Sequence, residues 1–134
     1  MLIRDADPFG DAEACAAIYR PYVTDSVASF EEQPPTPSEM SRRIVAAHAW
    51  LLAETDGAVV GYAYASPHRT RAAYRWAADV AVYVDADHHR SGVGRALYTP
   101  LIECLRAAGF WKLCAGITEP NNASTALHLS LIHI

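Results

Sequence analysis

With 134 residues the chain has room for one domain and too few for two, so every functional residue must belong to one core or its rim. A hydrophobic fraction of 51%, a charged fraction of 19% and a formal net charge of −4 exclude a disordered chain and a nucleic-acid-coating protein. No apolar run reaches the ~20 residues of a membrane span, and Met1 to Asp5 lack the apolar centre of a signal peptide, so a cytoplasmic protein is expected.

Leu2 to Arg4 reads as an opening strand. Asp7-Pro8 then supplies a cap and a first-turn proline, and Ala12, Cys15, Ala16 and Tyr19 recur at helical spacing, which predicts a helix to about Tyr22. Val23 to Pro35 is irregular. Thr36-Pro37-Ser38-Glu39 is a capping box that launches a second helix toward His48. Trp50 to Glu54 and Val59 to Ala65 are apolar runs of strand length on either side of Asp56-Gly57, a pair suited to a tight hairpin.

After the polar stretch Pro67 to Arg75, the run Trp76 to Val84 alternates. Trp76, Ala78, Val80, Val82 and Val84 share one face, and Asp79 and Tyr83 lie on the other. Val93, Leu97, Leu101 and Leu105 then mark an amphipathic helix between Gly92 and Ala108, with Gly109 placed to end it and Pro100 inside it, where a kink is expected. Lys112 to Ile117 reads as a further strand, and Asn121 opens a last helix. A hairpin followed by a strand–helix–strand unit predicts a mixed sheet with helices on its faces, an α/β or α+β fold in a single domain over 1–134. Because Leu129 to Ile134 stops in an apolar stretch with no helix-ending glycine, a C-terminal truncation is expected.

Cys15, Cys104 and Cys114 are an odd, sparse set that suits buried thiols in a reducing compartment. Six histidines raise the question of a metal, but the adjacent His88-His89 diverge and nothing follows at ligand spacing, so no metal is expected.

The chemistry concentrates in Val82 to Tyr98, where a strand passes through a glycine-bearing turn into a helix. This geometry aims backbone N–H groups at an anion on the helix axis. Gly92 and Gly94 permit close approach, and Arg90 and Arg95 add positive charge, so a pyrophosphate fits. The Gly-Lys-Ser/Thr ending of a Walker loop is missing, and Leu97 stands at the third glycine position of a dinucleotide fingerprint. On the residues alone, a plain tight turn before a helix remains open.

Arg90-Ser91-Gly92-Val93-Gly94, with Val82-Tyr83-Val84 before it, resembles the pyrophosphate-binding signature of the GNAT acyltransferase superfamily. Within it the chain is most similar to phosphinothricin and methionine sulfoximine or sulfone acetyltransferases, through Ile18-Tyr19, Ser29-Phe30-Glu31, Gly61 to Ala65, Arg71 to Tyr74, and Pro120 to Ser124 with His128. The resemblance implies the GNAT fold with a mixed sheet whose last strands are missing here, and acetyl-CoA as co-substrate. It implies transfer to the amino group of a small amino-acid-like molecule, and a detoxifying role. No nucleic-acid or membrane partner is implied, and many such relatives are homodimers.

Residue by residue, the resemblance places the cofactor's pantetheine arm on the backbone of Val82, Tyr83 and Val84 and its pyrophosphate on Arg90, Ser91, Gly92, Val93, Gly94 and Arg95. Asn121 and Ser124 follow as further cofactor contacts, with helix capping as the other reading of Asn121. Asp79 stands where relatives carry glutamate and is the candidate base that takes a proton from the amine; the alternative is a structural pair with Arg71 or Arg75. His128 is the candidate acid for the departing thiolate. Arg69, Arg71 and Tyr74 are candidate contacts for an anionic group of the substrate, with a solvated loop as the alternative, and Phe30 and Glu31 are candidates to close the pocket. No cysteine lies near a base in the matched segments, so direct transfer in a ternary complex is expected. The competing readings are an acyl-CoA-binding domain without turnover, and an acetyltransferase for a protein N terminus or another amine.

Overall fold

The computed structural model of the chain describes residues 1–24, 33–67, 77–85, 92–110 and 112–115. In chain order these form β1 (Leu2–Asp5), α1 (Ala12–Thr24), α2 (Pro37–Ala46), β2 (Ala49–Thr55), β3 (Ala58–Pro67), β4 (Ala77–Val84), α3 (Val93–Ala107) and β5 (Lys112–Ala115). The strands make one five-stranded sheet in the order β1-β2-β3-β4-β5, antiparallel except for the parallel β4–β5 pair. The expected mixed sheet with helices on its faces is the observed one.

The first helix starts later than its sequence suggests. Asp7 does not cap it: the Asp7 carboxylate accepts from the N–H of Phe9 at 3.2 Å, closing a turn, and the helix opens at Ala12 behind Asp11. Asp11 takes that position because it is tied from three sides. Its carboxylate accepts from the Asp7 N–H at 2.7 Å and from both terminal nitrogens of Arg4 at 2.8 and 2.9 Å, while Arg4 also reaches Glu54 on β2. The Arg4 guanidinium holds the Asp11 carboxyl below the usual carboxylate range. The second helix begins as expected, with the Thr36 hydroxyl accepting from the Glu39 N–H at 3.1 Å and Pro37 in the first turn.

In the β2–β3 hairpin Asp56 and Gly57 both take positive φ, 53° and 81°, as the tight turn requires. A bulge between Ala53 and Glu54 leaves Val60 as the extra residue, since Ala53 pairs with Gly61 and Glu54 with Val59. Beyond the bulge, Gly61 faces α3 so closely that an added β-carbon would lie 2.9 Å from Cγ1 of Val93 and 3.1 Å from the carbonyl of Tyr83. Glycine therefore sets how near the start of α3 can come to the sheet.

Two apolar layers flank the sheet. On one face Leu51, Ala53, Ala63, Ala65, Ala78 and Val80 pack against Leu97, Leu101 and Leu105 of α3. Burying each leucine side chain contributes roughly 1.5–3 kcal/mol relative to exposure. On the other face Trp50, Leu52 and Tyr62 pack against Cys15, Ile18 and Tyr19 of α1 and Met40 and Ile44 of α2. Both faces of β2 and β3 are covered, which is why these strands read as continuous apolar runs. Burial pushes the Cys15 thiol up to about 12, so it behaves as a small apolar side chain. Helix α3 continues through Pro100 and ends as expected: Gly109 at φ 97° lets the Gly109 N–H reach the Arg106 carbonyl and the Phe110 N–H the Leu105 carbonyl.

Candidate active site

Strand β4 lies between β3 and β5. Its alternation follows the expectation, with Ala78, Val80, Val82 and Val84 on the α3 side and Tyr83 on the α1/α2 side. Asp79, half-buried, shares the second side and stands directly across from Ser66 of β3.

On that side lies a pocket of about 230 Å³. Tyr19 of α1, Trp50 of β2, Tyr62, Tyr64 and Ser66 of β3, and Tyr83 of β4 line it, with Met40, Arg43, Ala46 and Ala47 of the α2 region. The rings of Trp50 and Tyr64 stack at 4.5 Å and 14°, and those of Trp50 and Tyr62 at 5.1 Å and 13°, so the floor is a flat aromatic sheet surface. Burial raises the Tyr62 and Tyr83 phenols above their ordinary range, so both are neutral and can donate as well as accept. Arg43 engages Glu39 at 3.4 Å, and Glu39 also pairs with Arg42 at 2.6 Å. These aromatic residues read as ordinary core in the sequence; the i, i+2 alternation of Tyr62 and Tyr64 is the one signal that they share a face.

On the opposite edge, β5 pairs with β4 from Ala77 to Val80 among the described residues. The main-chain groups of Val84 point to this edge, because the next residue, Asp85, turns its N–H the other way to the Val60 carbonyl at 2.8 Å. Val82 has the same orientation by the two-residue period. One side chain that the sequence does not single out meets them here: the hydroxyl of Tyr22, in the last turn of α1, donates to the Val84 carbonyl at 2.8 Å and accepts from the Val84 N–H at 3.4 Å. Burial raises the Tyr22 phenol, which keeps it protonated as that donor.

Beyond β4 the chain re-enters the described region at Gly92, in the left-handed conformation at φ 84°, followed by the first turn of α3. Among the described residues no side chain caps this helix end, and its first helical bond is Ala96 N–H to Gly92 carbonyl. The amides of Val93, Gly94 and Arg95 precede that bond, which makes the turn a seat for an anion. Val93 is buried against the sheet, whereas Arg95 is exposed.

The structure thus brings Asp79, Val82, Tyr83 and Val84 onto one strand, with Gly92, Val93, Gly94 and Arg95 at the helix that follows it. Phe30, Glu31, Arg69, Arg71, Tyr74, Arg90, Ser91, Asn121, Ser124 and His128 lie outside the described residues. Among the described residues there is no cluster of three or more His, Cys, Asp or Glu that could hold a metal ion, and no helix long and apolar enough to cross a membrane.

A mixed sheet whose strand β4 runs through a left-handed glycine into the first turn of α3 is the arrangement of an acyl-CoA-dependent transferase, and comparison with known proteins agrees. Residues 13–131 match the family model described as Acetyltransferase (GNAT) family. The chain is 39% identical to the phosphinothricin N-acetyltransferase of Streptomyces viridochromogenes, over 90% of this chain and 68% of that protein. It is 33% identical to the L-methionine sulfoximine/L-methionine sulfone acetyltransferase of Salmonella typhimurium, over 98% of this chain and 78% of that protein. In structure it matches a GNAT superfamily phosphinothricin acetyltransferase from Sinorhizobium meliloti in complex with AcCoA, with a TM-score of 0.91, 36% identity, and coverage of 97% of this chain and 72% of the other. The chain belongs to the GNAT acetyltransferase family.

Proposed function

We propose that this chain transfers the acetyl group of acetyl-CoA to the amino group of a small amino-acid-like acceptor of the phosphinothricin, methionine sulfoximine or methionine sulfone type. The observation that carries the reading is the composition of β4. One strand bears a carboxylate, at Asp79, on the sheet face of the aromatic pocket and across from its Ser66, and main-chain groups, at Val82 and Val84, on the edge away from β3. The residues present fit acetyl-CoA: the α3 N-terminal turn offers amides to its pyrophosphate, and the β4 edge offers a donor and an acceptor to its arm.

Acetyl-CoA supplies an activated acyl group in its thioester. The protein's part is to bring an amine to that carbonyl and remove its proton. The acceptor amine is mostly protonated at neutral pH, so Asp79 accepts a proton, directly or through water, before or during attack. The pocket beyond Ser66 receives the acceptor's side chain and fixes the amine beside Asp79, converting a bimolecular encounter into a positioned one. His128 is proposed as the group that returns a proton to the leaving thiolate, and Arg69 and Arg71 as the partners of the acceptor's anionic group. A cytoplasmic homodimer with a detoxifying role completes the proposal, on the resemblance alone.

Thermal unfolding of the purified chain with and without acetyl-CoA tests the reading, with ATP as control. Ligand at about a hundred times its Kd adds roughly 2.7 kcal/mol of stability, a shift of several degrees. A midpoint raised by acetyl-CoA and not by ATP, followed by release of free thiol on addition of L-methionine sulfone or phosphinothricin, is the expected result. A cooperative transition indifferent to acetyl-CoA rules the proposal out, and stabilisation without thiol release from any amine leaves only the binding-domain reading.

A further inference from the structure

The register of the β3–β4 ladder shows which group stands beside Asp79. The Asp85 N–H bonds the Val60 carbonyl at 2.8 Å, so these two residues form a hydrogen-bonded pair next to Gly61 and Val84. Hydrogen-bonded and non-hydrogen-bonded pairs alternate along an antiparallel ladder, and this one runs without a shift to Pro67 and Ala78. Ser66 and Asp79 are therefore again a hydrogen-bonded pair. The Cα atoms of such a pair lie about 5.5 Å apart, and the two side chains leave the sheet side by side on one face.

Among the described residues that line the aromatic pocket, Ser66 is the nearest to Asp79 along the sheet. Tyr64, which pairs with Ala81, is a diagonal neighbour about 7–8 Å away, and its ring is stacked on Trp50. Tyr83 stands four residues along β4, about 13 Å at the rise of a strand. Arg43 lies on α2, where its guanidinium engages Glu39. Ser66 and Asp79 are both half-buried, which leaves them within reach of a ligand while much of the surrounding water is excluded.

We propose that the Ser66 hydroxyl accepts one N–H of the acceptor's amino group and so turns another toward Asp79, making the two residues a two-point seat for a primary amine. This inference rests on the acetyltransferase reading and on Asp79 as its base. The separation of the two side-chain roots, about 5.5 Å, is about twice a hydrogen-bond length and suits one nitrogen between two oxygens. With the ammonium seated, one N–H bonds the Ser66 oxygen and another gives its proton to the Asp79 carboxylate. The electron pair left on nitrogen then attacks the thioester carbonyl carbon. No bond is made or broken at Ser66, whose neutral hydroxyl does not compete with Asp79 for the proton.

The test uses Ser66→Ala, which deletes the hydroxyl, and Ser66→Thr, which keeps it on a residue that strands favour. With L-methionine sulfone as acceptor and saturating acetyl-CoA, Ser66→Ala is expected to lower kcat/KM about 10- to 100-fold, the worth of a hydrogen bond to a charged group. Ser66→Thr is expected to restore most of that loss, and the Kd of acetyl-CoA and the melting temperature are expected to stay unchanged in both. Inhibition by 4-(methylsulfonyl)butanoic acid, the same acceptor without its amino group, separates a grip on the amine from a role in shaping the pocket. Its inhibition constant is expected to be equal in the unsubstituted chain and in Ser66→Ala. A kcat/KM within about twofold of the unsubstituted value in Ser66→Ala overturns the inference. So does an inhibition constant that rises as far as kcat/KM falls, or a loss in Ser66→Thr as large as in Ser66→Ala. If the unsubstituted chain releases no thiol with this acceptor or with phosphinothricin, the proposed function itself fails and takes the inference with it, an outcome distinct from the others.

Discussion

Asp79 and Ser66 are directly opposed in the β3–β4 ladder, and both side chains leave the sheet on the face that carries the aromatic pocket. The carboxylate therefore leaves the sheet on the face of the pocket-lining Ser66 and not on the face packed by α3. Asp79→Asn keeps the shape and removes the basic oxygen. It is expected to lower kcat by about 10²- to 10⁴-fold, the usual worth of a positioned base, while leaving the Kd of acetyl-CoA unchanged. Pre-steady-state thiol release together with calorimetric cofactor binding measures both. A structural role for Asp79 predicts a lowered melting temperature with little change in kcat.

Gly61 controls the approach of α3, and through it the position of the proposed pyrophosphate seat. A methyl group there meets Val93 Cγ1 at 2.9 Å, the Tyr83 carbonyl at 3.1 Å and Leu97 Cδ1 at 3.3 Å. Side-chain ends can give way, but the carbonyl belongs to the ladder between β3 and β4. Gly61→Ala is expected to destabilise by about 1–3 kcal/mol, as overpacked cores do, and to weaken acetyl-CoA binding because Val93 opens the binding turn. Urea unfolding and cofactor titration give the two numbers; a stable variant with normal affinity contradicts the close approach.

Asp79 and Gly61 differ in how far the sequence reveals them. The alternation around Asp79 and the Asp56-Gly57 turn are legible because a strand's faces and a tight hairpin depend on residues a few positions apart. The same holds for the Thr36 cap and the Gly109 stop. The contacts that forbid a side chain at Gly61 come from β4 and α3, far along the chain, and leave no local trace. The start of α1 departs from its local pattern because Asp11 wins over Asp7 through Arg4 on β1, which is itself anchored to Glu54 on β2. No short-range spacing encodes that competition. The Tyr22–Val84 contact is silent in the sequence for the same reason, since Val84 lies on β4. The pocket is hidden differently: Tyr19, Trp50, Tyr62 and Tyr64 carry the spacing of core residues, and only their assembly from helices and strands leaves a space between them.

Ala47 offers a way to fill that space without removing any packing. It follows α2 in an extended conformation, φ −72° and ψ 152°, that leucine adopts without strain, and it borders the pocket. Ala47→Leu is expected to raise KM for the amino-acid acceptor by about tenfold, equivalent to about 1.4 kcal/mol, and to leave the Kd of acetyl-CoA unchanged. Steady-state kinetics with saturating acetyl-CoA checks this. An unchanged KM means that the acceptor's side chain lies elsewhere.

The Arg4–Asp11 pair makes stability depend on pH with a definite sign. Asp11 is 8% exposed, and its carboxyl is held below its ordinary value first by the hydrogen bonds from Arg4, with the Asp7 N–H adding to the effect against the cost of burial. A carboxylate whose folded value is depressed binds protons less readily in the folded chain than in the unfolded one, where it titrates near about 3.9. Its contribution is therefore complete above that unfolded value and is lost as pH falls through the lower folded one. Urea midpoints measured from about pH 6 down to about pH 2 are expected to decline below about pH 4. Asp11→Asn removes this titration and leaves the buried end of α1 with one fewer charged partner for Arg4, so it is expected to cost about 1.5–3 kcal/mol at about pH 6. The difference between the two proteins should then shrink toward the acid end of that range, as the native aspartate becomes the neutral group that asparagine already is. A difference that stays constant across the range assigns the acid sensitivity to other carboxylates.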